Sequence, residues 1–110
     1  MTLYELSADD DGRTVHAAPG DQIVVRLPET PGTGFRWELA SPAPPEIILE
    51  STTFVPASGS SVGGSGTRTF TFVVKDRARA RIGLQRWRPW EGERSIERSF
   101  AFEVNASDPG

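Results

Sequence analysis

Apolar side chains recur at every second position along most of this chain. Ile23, Val25 and Leu27 alternate with Val24 and Arg26, and Phe35, Trp37 and Leu39 alternate with Arg36 and Glu38. Phe70, Phe72 and Val74 repeat the pattern, as do Ala78, Ala80, Ile82 and Leu84, and then Phe100, Phe102 and Val104. A period of two belongs to strands with one face buried and one wet. No stretch shows the 3.6-residue period of an amphipathic helix. Arg77, Arg79 and Arg81 fall on the wet side of one such strand rather than forming a basic run.

Turn clusters separate these runs. Pro19-Gly20-Asp21 precedes the first strong strand and PETPGTG follows it. SPAPPE at 41–46 is too rich in proline for a strand interior or a helix. PASGSSVGGSG at 56–66 reads as a flexible loop, and Lys75-Asp76 and the RPWEGE stretch at 88–93 each read as the turn of a hairpin. Seven to eight short strands joined by turns predict an all-β, immunoglobulin-like antiparallel β-sandwich. The chain has no cysteine, so the sandwich holds without a disulfide. Phe35 and Trp37 are expected in its core. The length, 110 residues, predicts one domain over 1–110 with a frayed tail at 105–110.

Composition narrows the function. A net charge of −3 with interspersed signs argues against a nucleic-acid partner. No apolar run approaches the roughly 18–20 residues of a membrane span. The acidic start, MTLYELSADDDG, has no apolar core of a signal peptide, so the chain as it stands is expected in the cytoplasm, and export would need a leader outside it. No catalytic constellation is visible. The one histidine, His16, reads as an edge-strand residue, and Asp9-Asp10-Asp11-Gly12 lacks the ligand spacing of a calcium loop. There is no HExxH, no GxSxG and no P-loop lysine. No cofactor and no metal are expected.

What remains is a scaffold with unusual loops, at 28–35, 59–67 and 88–91. In a seven-stranded sandwich these join alternate strand pairs and can lie at one end, where such folds carry recognition residues. Their residues resemble the chagasin-like inhibitors of papain-type cysteine peptidases. The family's Asn-Pro-Thr-Thr-Gly followed by Tyr or Phe is matched by Thr30-Pro31-Gly32-Thr33-Gly34-Phe35. Its Gly-x-Gly is matched by Gly64-Ser65-Gly66, followed by Thr67, and its Arg-Pro-Trp stands intact as Arg88-Pro89-Trp90. The resemblance covers about residues 14–104. It departs at Thr30, where the family has asparagine, and at Gly32, where it has threonine, which loosens the loop.

The resemblance implies a reversible, competitive, tight-binding inhibitor, not an enzyme, that occludes a peptidase active-site cleft. These thirteen loop residues would make the contact, the partner would be a papain-family cysteine peptidase, and the inhibitor would act as a monomer. In that reading Trp90 is the apolar plate, Pro31 and Pro89 restrict the loops, and the Gly-rich edge offers main-chain hydrogen bonds to the partner. The alternative is a non-inhibitory module that binds protein or glycan with the same loops, through Trp90 and Trp87.

Overall fold

The computed structural model describes residues 1–57 and 64–108. Eight strands run in chain order: β1 (Leu3–Leu6), β2 (Thr14–Ala17), β3 (Gln22–Glu29), β4 (Arg36–Leu39), β5 (Ile47–Pro56), β6 (Gly66–Val74), β7 (Ala78–Trp87) and β8 (Arg98–Ala106). One sheet has the order β1-β3-β6-β5 and the other β2-β8-β7-β4. The alternating apolar positions meet between them. Ile23, Val25 and Leu27 of β3 and Phe70, Phe72 and Val74 of β6 face Ile82 and Leu84 of β7 and Phe100, Phe102 and Val104 of β8. Phe72 meets Phe102 edge to face across the core, with ring centroids 5.8 Å apart. Such a pair adds about 0.5–1.5 kcal/mol beyond the area it buries.

The sandwich expected from the pattern is the one observed, with four local differences. The central pairings are antiparallel, but β1–β3 and β2–β8 are parallel. The chain leaves one sheet after β1, crosses at residues 7–13 and joins the other sheet as β2. The crossing is fastened by its acidic residues: the Ser7 N–H donates to Asp10 (2.8 Å) and the Ala101 N–H to Asp11 (2.8 Å).

Lys75-Asp76 is not a hairpin turn. β6 already has β3 on one side and β5 on the other, so β7 cannot pair with it, and residues 75–77 carry the chain between sheets. The tail is ordered further than expected. Asn105 and Ala106 lie between Arg79 and Ala78 on one side and His16 and Ala17 on the other, so β8 runs to Ala106. Residues 109 and 110 lie outside the described residues. Phe35 is the fourth difference. Trp37 is buried at 4% exposure, but Phe35 precedes β4 and is only half-buried, because the turn before it rotates the chain out of strand geometry.

Register brings the three loops together. Glu29, at the end of β3, faces Gly66 at the start of β6, so the first loop leaves beside the point where the second returns. Arg36, at the start of β4, faces Trp87 at the end of β7, so the first loop arrives beside the point where the third leaves. The first loop therefore crosses between the sheets, with the second on the β5–β6 side and the third on the β7–β8 side.

Candidate functional site

The first loop is a single self-bonded turn. Pro31–Thr33 forms a 3-10 turn with proline at its start, where a fixed φ and a missing N–H cost nothing. The Thr33 N–H and its hydroxyl both donate to the Thr30 carbonyl, at 3.0 and 2.7 Å. Gly34 closes the turn in the left-handed region, at φ 82°, and its N–H donates to Pro31 O at 2.9 Å. Thr30 through Thr33 are exposed and Gly34 is half-buried.

The third loop is built the same way and then extended. Pro89–Glu91 and Glu93–Ser95 are two short 3-10 turns on either side of Gly92. The Ser95 hydroxyl accepts from the Arg88 N–H (3.0 Å) and lies 2.7 Å from the Gly92 carbonyl, cinching the loop at its base. Trp90 stands at the tip with 68% of its surface exposed. An isolated exposed leucine needs no explanation, but a tryptophan held in the open does.

These two loops are joined. The Arg88 guanidinium donates through Nη2 and Nε to the Thr33 carbonyl, at 2.8 and 3.1 Å, and through Nη1 to Glu91, at 3.2 Å. Its Cζ sits 4.4 Å above the centroid of the Phe35 ring, a cation–π contact that explains why Phe35 leaves the core. The edge of the Trp90 indole packs directly on Gly34. A Cβ at position 34 would come within 2.9 Å of Trp90 Cη2 and 3.1 Å of Cζ2. Gly34 is thus required twice, for its backbone angles and for the ring that rests on it.

The second loop differs. Residues 58–63, which include Gly59–Gly63 of the 59–67 span, lie outside the described residues. At its foot the Ala57 N–H donates to the Ser65 carbonyl at 3.0 Å. Gly64 is half-buried and Ser65 exposed. Gly66 and Thr67 belong to β6, flanked by Pro56 and Val55 on one side and Glu29 and Pro28 on the other. A Cβ on Gly66 would collide with the Val55 carbonyl and lie 2.5 Å from the Phe54 ring. The missing side chain at Gly66 makes room for this chain's own β5.

Beneath the loops lies a polar cluster that the sequence reading missed. Glu29 is buried at 2% exposure. Its carboxylate accepts from the Trp37 N–H at 2.8 Å and from Arg68, through Nη2 at 2.8 Å and Nε at 3.2 Å. The Arg68 guanidinium also lies 5.5 Å from the Phe54 ring centroid. The Pro28 carbonyl accepts from the Trp37 indole N–H (2.8 Å) and from Arg86 (3.3 Å), and Arg86 pairs with Glu97 at 2.7 Å. A signal for the pair was present. Glu29 continues the inward series 23, 25, 27, and Arg68 continues the inward series 70, 72, 74, so opposite charges stand at inward positions of neighbouring strands.

Two other candidates have structural places. His16 is exposed on edge strand β2, with its carbonyl taken by the Tyr4 hydroxyl at 2.7 Å. Trp87 is half-buried with its indole N–H donated to Glu38 at 2.9 Å, which pins the ring to the sheet face.

The model described as "Chagasin family peptidase inhibitor I42" matches residues 16–104. The chain belongs to the chagasin family. It is 28% identical to chagasin of Trypanosoma cruzi over 109 residues, which span 94% of this chain and 98% of that protein. Among solved structures it is similar in fold to the cysteine protease inhibitor EhICP2 of Entamoeba histolytica, with a TM-score of 0.82, 23% identity and 97% of each chain covered. It is also similar to PbICP-C, solved in complex with falcipain-2, with a TM-score of 0.61, 12% identity, and 96% of this chain and 92% of that one covered. Membership in the chagasin family makes the chain a peptidase inhibitor, not an enzyme. The three family motifs fall on the three loops that register gathers at one end.

Proposed function

We propose that the chain inhibits papain-family cysteine peptidases reversibly and competitively, by filling the active-site cleft with its three loops. The observation that carries this reading is the joint between the first and third loops, where Arg88 holds the Thr33 carbonyl and Trp90 rests on Gly34. A convex, prebonded wedge suits a concave cleft, and the joined first and third loops need little further ordering on docking. An exposed indole held at the rim is the kind of side chain that dominates interface energy.

The contact residues divide by role. Thr30, Pro31, Gly32 and Thr33 form the exposed crest that enters the cleft, and Trp90 covers its rim. Gly34, Phe35, Arg88 and Pro89 hold that crest and that indole in place. Gly64 and Ser65 flank the crest on the other side, while Gly66 and Thr67 act through the sheet. No bond of the inhibitor is made or broken. Three such loops are enough to cover about 800 Å² per partner, the usual extent of a stable interface. Falcipain-2 in the complex of PbICP-C is a precedent within the fold.

Titration of the pure protein against papain and a cathepsin L-type peptidase, with a fluorogenic substrate, tests the reading. Competitive inhibition at nanomolar concentration is expected. No inhibition at tens of micromolar by a folded sample would overturn it and attribute the loss to Thr30 and Gly32.

A further inference from the structure

We infer that Glu29 and Arg68 form a buried latch that sets the loops relative to one another, making both of them positioning residues for inhibition. The inference rests on the proposed function but concerns residues outside the binding crest. Glu29 is the last residue of β3 before the first loop, and Trp37, whose N–H it accepts, stands just inside the strand that follows that loop. One carboxylate therefore clamps both ends of the turn. Arg68 lies two residues beyond the point where the second loop rejoins the sheet, and its fork donates to the same carboxylate. Its other face meets Phe54 on the outgoing strand of that loop. The latch thus touches both strands of the first loop and both strands of the second.

The third loop reaches the same cluster through the Pro28 carbonyl, which binds Arg86, and through the Arg86–Glu97 pair at the loop's two feet. The latch lies mostly beneath the surface. Glu29 is fully buried at its side chain and Arg68 is 22% exposed. A hydrophobic pair would fill this space with comparable stability, since a buried ion pair is seldom better than well-packed apolar residues. What an ion pair supplies and an apolar pair does not is direction. A planar fork on a carboxylate fixes angle and register.

The test separates stability from position. The double variant Glu29→Gln with Arg68→Met leaves no unpaired buried charge and keeps an acceptor for the Trp37 N–H. Its melting temperature is expected below that of the parent, because the glutamine NH2 is buried among donors and left without an acceptor, so loop order and inhibition are read at a temperature where the variant is fully folded. The apparent inhibition constant against papain is expected to rise about tenfold, as it would if one molecule in ten held the competent loop arrangement. Nitrogen-15 relaxation should report lower order at the Thr33, Gly34 and Ser65 amides, with Asp21 at the opposite end unchanged. Unchanged inhibition and unchanged loop order in the folded double variant would overturn the inference. If the parent itself fails to inhibit, the functional reading falls, and the relaxation data alone still decide the latch. Arg68→Lys, which keeps the charge and loses the fork, gives the same test should the double variant not fold, and loosened loop amides are again the expected result.

Discussion

Replacing Gly34 with alanine isolates the joint between the first and third loops. Two separate costs arise. The backbone at φ 82° lies in the left-handed region, where an added Cβ costs about 1–2 kcal/mol. The new methyl would also stand 2.9 and 3.1 Å from two carbons of the Trp90 ring, against an ordinary contact of about 3.5–4.0 Å. One of these costs falls on the fold and the other on the site. Trp90 is 68% exposed and nothing encloses it, so the ring can tilt away by a fraction of an ångström to about one ångström. The fold then loses only the backbone term, equivalent to a fall in melting temperature of about 4–9 °C for a domain of this size. The site loses its seated indole. If half of a hot spot of about 2–4 kcal/mol depends on that seat, the inhibition constant rises about five- to thirtyfold.

The assay pairs a thermal melt with a papain titration, and Gly20→Ala provides the control. Gly20 has φ 97° and open space around it, and it lies at the far end of β3 from the loops. Its variant should melt lower and inhibit as well as the parent. Should Gly34→Ala behave in the same way, melting lower and inhibiting fully, the claim that Trp90 acts from its seat on Gly34 is wrong.

Three further outcomes are expected. Trp90→Ala should weaken inhibition by about 2 kcal/mol or more with little change in melting temperature, because the side chain is exposed; equal titration curves for variant and parent would remove it from the site. Gly66→Ala should lower stability more than Gly34→Ala, since the atoms in its way include the main chain of β5 and not only a free ring; a melt matching the parent's would show that β5 yields easily. Asp10→Asn should destabilise at neutral pH. The hydrogen bond from the Ser7 N–H, with Arg13 nearby, holds the Asp10 carboxyl below its ordinary value of 3.8. Because the folded value is the lower one, the contribution is present above that ordinary value and fades as pH falls through the folded one, so the parent and variant melts should converge in acid. A gap that persists or widens there would refute the assignment.

The sandwich was legible because its strands bury one face each, and a period of two records that directly. The loops were legible because proline and glycine mark backbone angles more than packing. Phe35 shows where the period misleads. It continues the count from Trp37 and Leu39, but the left-handed glycine before it turns the chain, and the Arg88 guanidinium takes the ring instead. Lys75-Asp76 failed for a topological reason, since a short polar connection looks the same whether the next strand pairs with the last or crosses to the other sheet. Glu29 was passed over because a carboxylate between proline and threonine reads as solvated, while its partner is 39 residues away in sequence. Only the combined parity of two strands reveals that both charges point inward.

The parallel strands at the start of the chain have a consequence for how this molecule coexists with its own copies. β1 covers the outer side of β3, and β2 covers the outer side of β8. Each sheet is thereby hemmed on one margin by a short piece of the same N-terminal segment. The opposite margins are guarded differently: β4 has only four residues, and β5 is interrupted by a bulge between Leu49 and Ser51. A cut before Pro19 would bare the long β-branched run of β3 and the end of the sandwich strand β8 together, offering two unpaired margins to the next molecule. The first seventeen residues therefore work as a selvedge, a woven border along one margin of each sheet.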